Sequence, residues 1–375
     1  MGVANRIGSI DTARFLAISL VFYGHFVEQV MYLDNAAAAA QYKWLYSFHM
    51  PLFYVLSGIV HNEARPRLAI KPFLYRVLRS RLVPYFVFAL LPAVIVLAGV
   101  PGWFPTVDLS APAGYLDGVI STLMGLPAFN IPLWFLASLI LLELLHFAIG
   151  RLWTTKTRLV AGIVAFYLIG YLFNRYVDVL SGGLIFWMAH VVPLGYAFYL
   201  TGILVRRSGI LERAFPTWTV IAAGGLCLAG VFLSYDLNQG PFRLLDVVVM
   251  MFGTVGHPIL FPLTALVGSA LVILIARLLP AWRWLQYLGE ITLLIYCLHG
   301  FFYHFVNPPL AAWMIANLPV SSACVLTAAS TLAIALSLAV TAPLAMAIQR
   351  WLPQITGRSG RRSGERPLQG ESQAP

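Results

Sequence analysis

Apolar residues in this chain come in long, nearly unbroken runs, without the alternation that marks a helix or strand with one face in water. A helix needs about 20 such residues to cross a hydrocarbon core. The pattern predicts ten spans: 14–33, 44–62, 82–100, 131–149, 159–174, 184–205, 217–235, 258–276, 284–306 and 321–349. Two more apolar stretches, 111–128 and 241–256, are short and are interrupted by Asp117 and by Arg243 and Asp246. Re-entrant or interfacial segments suit them better than full spans. The expected fold is all-α: a polytopic membrane helix bundle of about ten transmembrane helices.

Composition strengthens this reading. Of 375 residues, 60% are hydrophobic and only 10% charged, against roughly 25% charged in soluble domains. No soluble core of this size hides so much apolar surface, which excludes a soluble enzyme, a disordered chain and a nucleic-acid binder. The net charge of +10 is then a record of orientation, because basic loops stay on the cytoplasmic side. With the N-terminus inside, ten spans put every Lys and Arg on the cytoplasmic side except Lys43, Arg175 and Arg243. Both termini are therefore expected in the cytoplasm, and residues 1–350 form the membrane domain. The tail, 351–375, rich in Arg, Gly, Ser, Gln and Pro, is expected to be disordered. His25 and Glu28 inside the first run argue against a cleaved signal peptide. Cys227, Cys297 and Cys324 all lie in apolar runs and imply no disulfide framework.

Ionisable groups at membrane depth are costly and mark candidate sites. The first span carries His25 and Glu28 at i,i+3, with Asp11 and Arg14 at its cytoplasmic mouth. Arg14 and His25 are about three turns apart on one helix face, roughly 16 Å along the axis. His25 could equally be a histidine bridging two helices. His49 opens the second span, His299 lies near the middle of the ninth, and His304 is closer to its outer end. Glu143 and His146 read as a structural contact between helices, and His190 and His257 have no sequence partner. The loop 61–83 is strongly basic, and Arg76 and Arg79 share a helical face suited to phosphate capture; enforcing topology or touching lipid headgroups explains them as well. No spacing of metal ligands, phosphate-cradling loop or Gly-x-Ser-x-Gly elbow occurs, so no metal is expected.

Together these residues give the chain a resemblance to the acyltransferase 3 family of integral-membrane O-acyltransferases. The resemblance rests on Asp11-Thr12-Ala13-Arg14 followed by Gly24-His25, on Phe48-His49-Met50-Pro51-Leu52-Phe53 through Ser57-Gly58, and on Arg76 through Tyr85. It continues with Leu133-Trp134-Phe135-Leu136, Leu288-Gly289-Glu290-Ile291-Thr292 and Tyr296-Cys297-Leu298-His299. Ala137-Ser138-Leu139 stand where one large branch carries an acidic dyad, and with the Phe-His-Met-Pro motif they look more like the fucose 4-O-acetylase branch. The chain ends soon after its tenth span, so the appended hydrolase-like domain of some relatives is not expected.

The resemblance implies transfer of an acyl group, usually acetyl from acetyl-CoA, to a carbohydrate hydroxyl. It implies Arg14 and His25 as catalytic residues, with Glu28 orienting the ring. Arg76, Arg79 and Arg81 would bind the donor, acetyl-CoA. His49, Trp134 and His299 are substrate-side candidates; Trp103, Phe104, Trp134 and Tyr115 could stack on a sugar, with Asp108 or Asp117 accepting its hydroxyls, or could anchor the chain at the membrane interface. Acyl-histidine formation and direct transfer both remain open. The expected partners are a carbohydrate or lipid-linked glycan and membrane lipids, with no nucleic acid, and the expected location is the bacterial inner membrane. The competing class is a proton-coupled transporter of a glycan or small solute, since mid-membrane His and Glu suit that too.

Overall fold

The computed structural model describes residues 7–61, 68–177, 186–238 and 247–356. These residues are all-helical, with no strand among them. Seven helices are long and apolar enough to cross a membrane: Gly8–Met31 (α1), Ile70–Leu97 (α4), Ile131–Leu152 (α6), Lys156–Tyr176 (α7), Thr217–Ser234 (α9), Leu260–Leu278 (α10) and Ala323–Trp351 (α13). Each corresponds to one expected span.

The other three expected spans are shorter or broken. The run 44–62 is divided between Ala36–Tyr46 (α2) and His49–Ile59 (α3), each 11 residues long. Ser47 Oγ donates to the Trp44 carbonyl at 2.6 Å and closes α2, and Pro51 then sits in the first turn of α3, a place that tolerates a missing N–H. The run 184–205 becomes Val192–Ser208 (α8), with Pro193 in its first turn. The run 284–306 becomes Arg283–Glu290 (α11) and Thr292–Asn317 (α12), bent by 69° and counting as an eighth span only if taken together. The stretch 111–128 holds Pro112–Leu123 (α5), 12 residues long and too short to span. Of 241–256, residues 241–246 lie outside the described residues, as do Arg6, Arg65, Arg67 and 357–375.

Helix α1 is the centre of the bundle. It packs against α2, α3, α10, α11, α12 and α13, and its face from Ile10 to Met31 belongs to one continuous core. By contrast α7 and α9 lie at the rim and leave Val164, Leu168, Ile169, Trp218, Leu226 and Leu233 exposed. In lipid these residues face solvent of their own kind. Gly289 lets α11 press on the start of α1: a Cβ there would stand 1.9 Å from the Asp11 carbonyl oxygen.

Two helices widen into a π turn, at Leu78–Leu82 in α4 and at Phe302–Val306 in α12. Each turn is followed by proline, Pro84 and Pro308. Proline has no N–H to give the carbonyl four residues earlier, and a carbonyl at membrane depth must find another donor. The Ser80 carbonyl accepts from Arg81 Nη1 at 3.3 Å. The His304 carbonyl accepts from the Trp103 N–H at 2.8 Å, which ties the loop between α4 and α5 onto α12.

Candidate functional site

The apolar run of α1 forces its few polar side chains to find partners on neighbouring helices. His25 and Glu28, one turn apart, are joined by a 2.8 Å contact between Nδ1 and Oε2, with side chains only 12% and 9% exposed. The Tyr32 hydroxyl, one turn further on, donates to Glu28 Oε1 at 2.8 Å. A carboxylate only accepts, and where it accepts from Nδ1, Nε2 is the His25 nitrogen left with a lone pair. Tyr32 was missed at the sequence level because it lies at the end of the apolar run. Its i,i+4 spacing from Glu28 was the available signal.

Helix α12 supplies the opposite wall. The His299 ring lies 5.1 Å from that of His25 and 4.2 Å from Phe22, and Tyr303 meets His25 edge-on at 4.9 Å. The placement of α12 is itself fixed: Asn130 donates to the Cys297 carbonyl at 3.3 Å and the Phe88 carbonyl at 2.9 Å, and Tyr296 donates to the Pro132 carbonyl. Gly300 makes room for Asn130, whose Oδ1 would be 1.8 Å from any Cβ there. From α2, Tyr46 meets His25 in a T-shaped contact at 6.4 Å and packs against Tyr42 with the rings tilted by 34°. His49 is buried beside Tyr46 at 4.4 Å and contacts the Leu45 carbonyl through Nδ1 at 3.1 Å.

The Met31 end of this cluster is roofed by aromatic rings. Trp103 lies 5.9 Å from Tyr32 and 5.5 Å from Tyr303. His304 donates through Nδ1 to the Trp103 carbonyl at 2.6 Å, accepts the Ile131 N–H at Nε2, and stacks on Phe104. His304 is thus a bracket for the loop. Asp108 and Ser110 line a shallow cavity of about 310 Å³ beside Phe104. Asp108, outside the helices, accepts the Ser110 N–H, which lowers its carboxyl pKa.

At the other end of α1, Arg14 pairs with Asp11 at 3.4 Å, next to Gly289. The motifs around Arg14 and Leu288-Gly289-Glu290 therefore meet in space. The expected donor-binding arginines divide. Arg76 is exposed and lies over the Phe73 ring, Arg79 reaches the Tyr75 hydroxyl at 3.5 Å, and Arg81 makes an ion pair with Glu143 at 2.9 Å. Glu143 and His146 thus have separate partners, as His146 bonds the Tyr196 hydroxyl at 3.0 Å. His61, whose Nδ1 lies 2.8 Å from the Tyr199 hydroxyl, completes a second histidine–tyrosine cluster with His146 that the sequence reading passed over. Trp134 is buried and packs edge-on to Phe135. His190 is tied to the Met251 carbonyl and His257 accepts two amides at the start of α10, both structural roles. Among the described residues no group of three or more His, Cys, Asp or Glu could hold a metal ion.

A family profile described as Acyltransferase domain matches residues 7–342, a stretch that includes every group in the His25 cluster. The chain belongs to the acyltransferase 3 family. That membership and the long apolar helices among the described residues mark it as a membrane acyltransferase. A nodulation protein, NolL, of Mesorhizobium japonicum is 37% identical over 65 residues, covering 17% of this chain and 17% of that protein. No solved structure matches.

Proposed function

We propose that this acyltransferase moves an acyl group, acetyl in the first instance, from acyl-CoA to a hydroxyl of a carbohydrate or lipid-linked glycan. One observation carries the reading: Glu28, held in turn by Tyr32, engages Nδ1 of His25 and leaves Nε2 to act as the base. In the reaction, Nε2 takes the proton of the acceptor hydroxyl while its oxygen attacks the thioester carbonyl carbon. The carbonyl electron pair moves to oxygen, returns, and expels CoA thiolate, which takes the proton back from His25. Ester and free CoA result, and the carboxylate of Glu28 balances the imidazolium that forms in between.

On the donor side, Arg76 and Arg79 lie at the basic end of α4, and CoA phosphates are what guanidinia hold well. Arg81, committed to Glu143, would act mainly by fixing the π turn that carries it. Arg14 stands on the same helix as His25, between the basic end and the base. On the acceptor side, Tyr32 and Trp103 offer aromatic faces to a sugar ring near Glu28. The Phe-His-Met-Pro motif at α3 supports a fucose-like acceptor. The basic loops and the family support a bacterial inner membrane, with donor drawn from the cytoplasm.

The test is a reconstituted protein given acetyl-labelled acetyl-CoA and a panel of fucosylated and other glycans. Labelled glycan ester with equal release of free CoA is expected, and His25→Ala should abolish both while the protein remains inserted. Transport of an unmodified glycan without CoA release would overturn the reading, as would full activity in His25→Ala.

A further inference from the structure

All eight histidines lie among the described residues, and seven have at least one ring nitrogen bonded. His299 is the exception. It is 0% exposed, and neither Nδ1 nor Nε2 has a hydrogen-bond partner. An imidazole always carries at least one N–H. Leaving a buried donor unsatisfied is costly, and in a native fold such a group points to a role or an occupant. The position invites this, since a phenylalanine would fill the space beside Phe22 without the cost.

Three roles are open to a histidine here: a second base, a holder of the acceptor, or a donor to the reacting carbonyl. A base needs something to support the proton it takes. His25 has Glu28, whereas neither ring nitrogen of His299 bonds a carboxylate, and its ring lies against those of Phe22 and His25. That leaves the N–H as its chemical asset. Its neighbours also suit a donor aimed at developing charge. Asn130 and Tyr296 fix the helix turn just before it, and His299 is fully buried, where a preorganised donor has its largest effect. The 5.1 Å ring separation fits a reacting centre shared by both rings. An acceptor oxygen about 2.8 Å from one ring nitrogen and a carbonyl oxygen about 2.8 Å from the other can belong to a single tetrahedral carbon.

We propose that His299 donates its ring N–H to the acyl carbonyl oxygen and stabilises the negative charge that gathers there, making it the oxyanion donor opposite the base His25. This rests on the acyl-transfer reading above. The step is the one already balanced: as the carbonyl pair moves to oxygen, the N–H of His299 bonds that oxygen without transferring its proton, and the bond relaxes when thiolate leaves.

The experiment compares wild type, His299→Phe, His299→Met and His299→Gln for glycan acylation, for acceptor-free hydrolysis of acetyl-CoA, and for Tm. Phe and Met donate nothing, and Met adapts to fill the space should Phe fail to fold. The expected result is a fall in kcat of about 100- to 1,000-fold in both reactions for Phe or Met. KM for acetyl-CoA and Tm should be unchanged, and Gln, whose amide can donate, should recover part of the rate. Loss of glycan acylation with hydrolysis intact would overturn the proposal in favour of acceptor binding. Wild-type rates in Phe or Met would overturn it outright, and so would a loss of Tm that accounts for the lost rate in all three variants. A wild-type protein with neither reaction overturns the acyl-transfer reading and this assignment together, an outcome distinct from active wild type with active variants.

Discussion

Replacing Glu28 with Gln changes one atom and one charge in a network whose logic depends on both. In the native site the carboxylate accepts from His25 Nδ1 and from Tyr32, each at 2.8 Å, so both partners must donate. The amide offers one acceptor and one donor. Because a tyrosine hydroxyl can give or receive, both orientations of the amide satisfy every partner, and in one of them His25 carries its proton on the wrong nitrogen. That costs about a factor of two in the fraction of competent base. The larger loss is the charge-assisted bond to the imidazolium: such bonds contribute about 1.5–3 kcal/mol against about 0.5–1.5 for neutral ones. A difference of about 1–2 kcal/mol slows the chemical step about 5- to 30-fold, so the combined fall is roughly 10- to 60-fold. Tyr32→Phe leaves charge and tautomer in place and should cost less than Glu28→Gln. The assay is the rate of CoA thiol release at saturating donor and acceptor, with Tm measured alongside. A Glu28→Gln protein within twofold of wild type at equal Tm would refute the claim that Glu28 governs the base.

Three further outcomes follow from the geometry. Arg76→Ala or Arg79→Ala should weaken acetyl-CoA binding by about 10-fold or more, as expected for loss of a charge-assisted phosphate contact, read by calorimetry on correctly inserted protein. Arg81→Ala should instead lower Tm, because its partner Glu143 is left partly buried without its cation. Gly289→Ala must displace α11 from Asp11, since the new Cβ would lie 1.9 Å from that carbonyl oxygen; a loss of about 1–3 kcal/mol in stability, with lowered kcat, is checked by thermal unfolding and the same thiol assay.

Features local to one helix were legible in the sequence. The His25–Glu28 pair is one turn of α1, and helical spacing alone places it. Seven of the ten apolar runs became single long helices for the same reason, since length and hydropathy suffice to define them. Two of the three exceptions carried signals in proline: Pro51 and Pro193 sit in the first turns of α3 and α8, where a run of apolar residues reads as continuous but the backbone starts afresh. What periodicity cannot supply is which helices meet. Arg81 finds Glu143 62 residues later, and His299 meets His25 only because α12 bends away from α11 and is pinned by Asn130. Nor does the sequence show that Arg81, grouped there with Arg76 and Arg79, pairs with Glu143.

The bond from the Trp103 N–H to the His304 carbonyl has a consequence for how this protein can change. The loop is held over the site by main-chain atoms at residue 103, an anchor that every amino acid except proline provides. The side chains around it, from Gly102 to Ser110, are therefore not needed to keep the loop in place through that bond. The surface of the loop can thus be rewritten residue by residue, while the proline in α12 that frees the carbonyl keeps the stage where it stands.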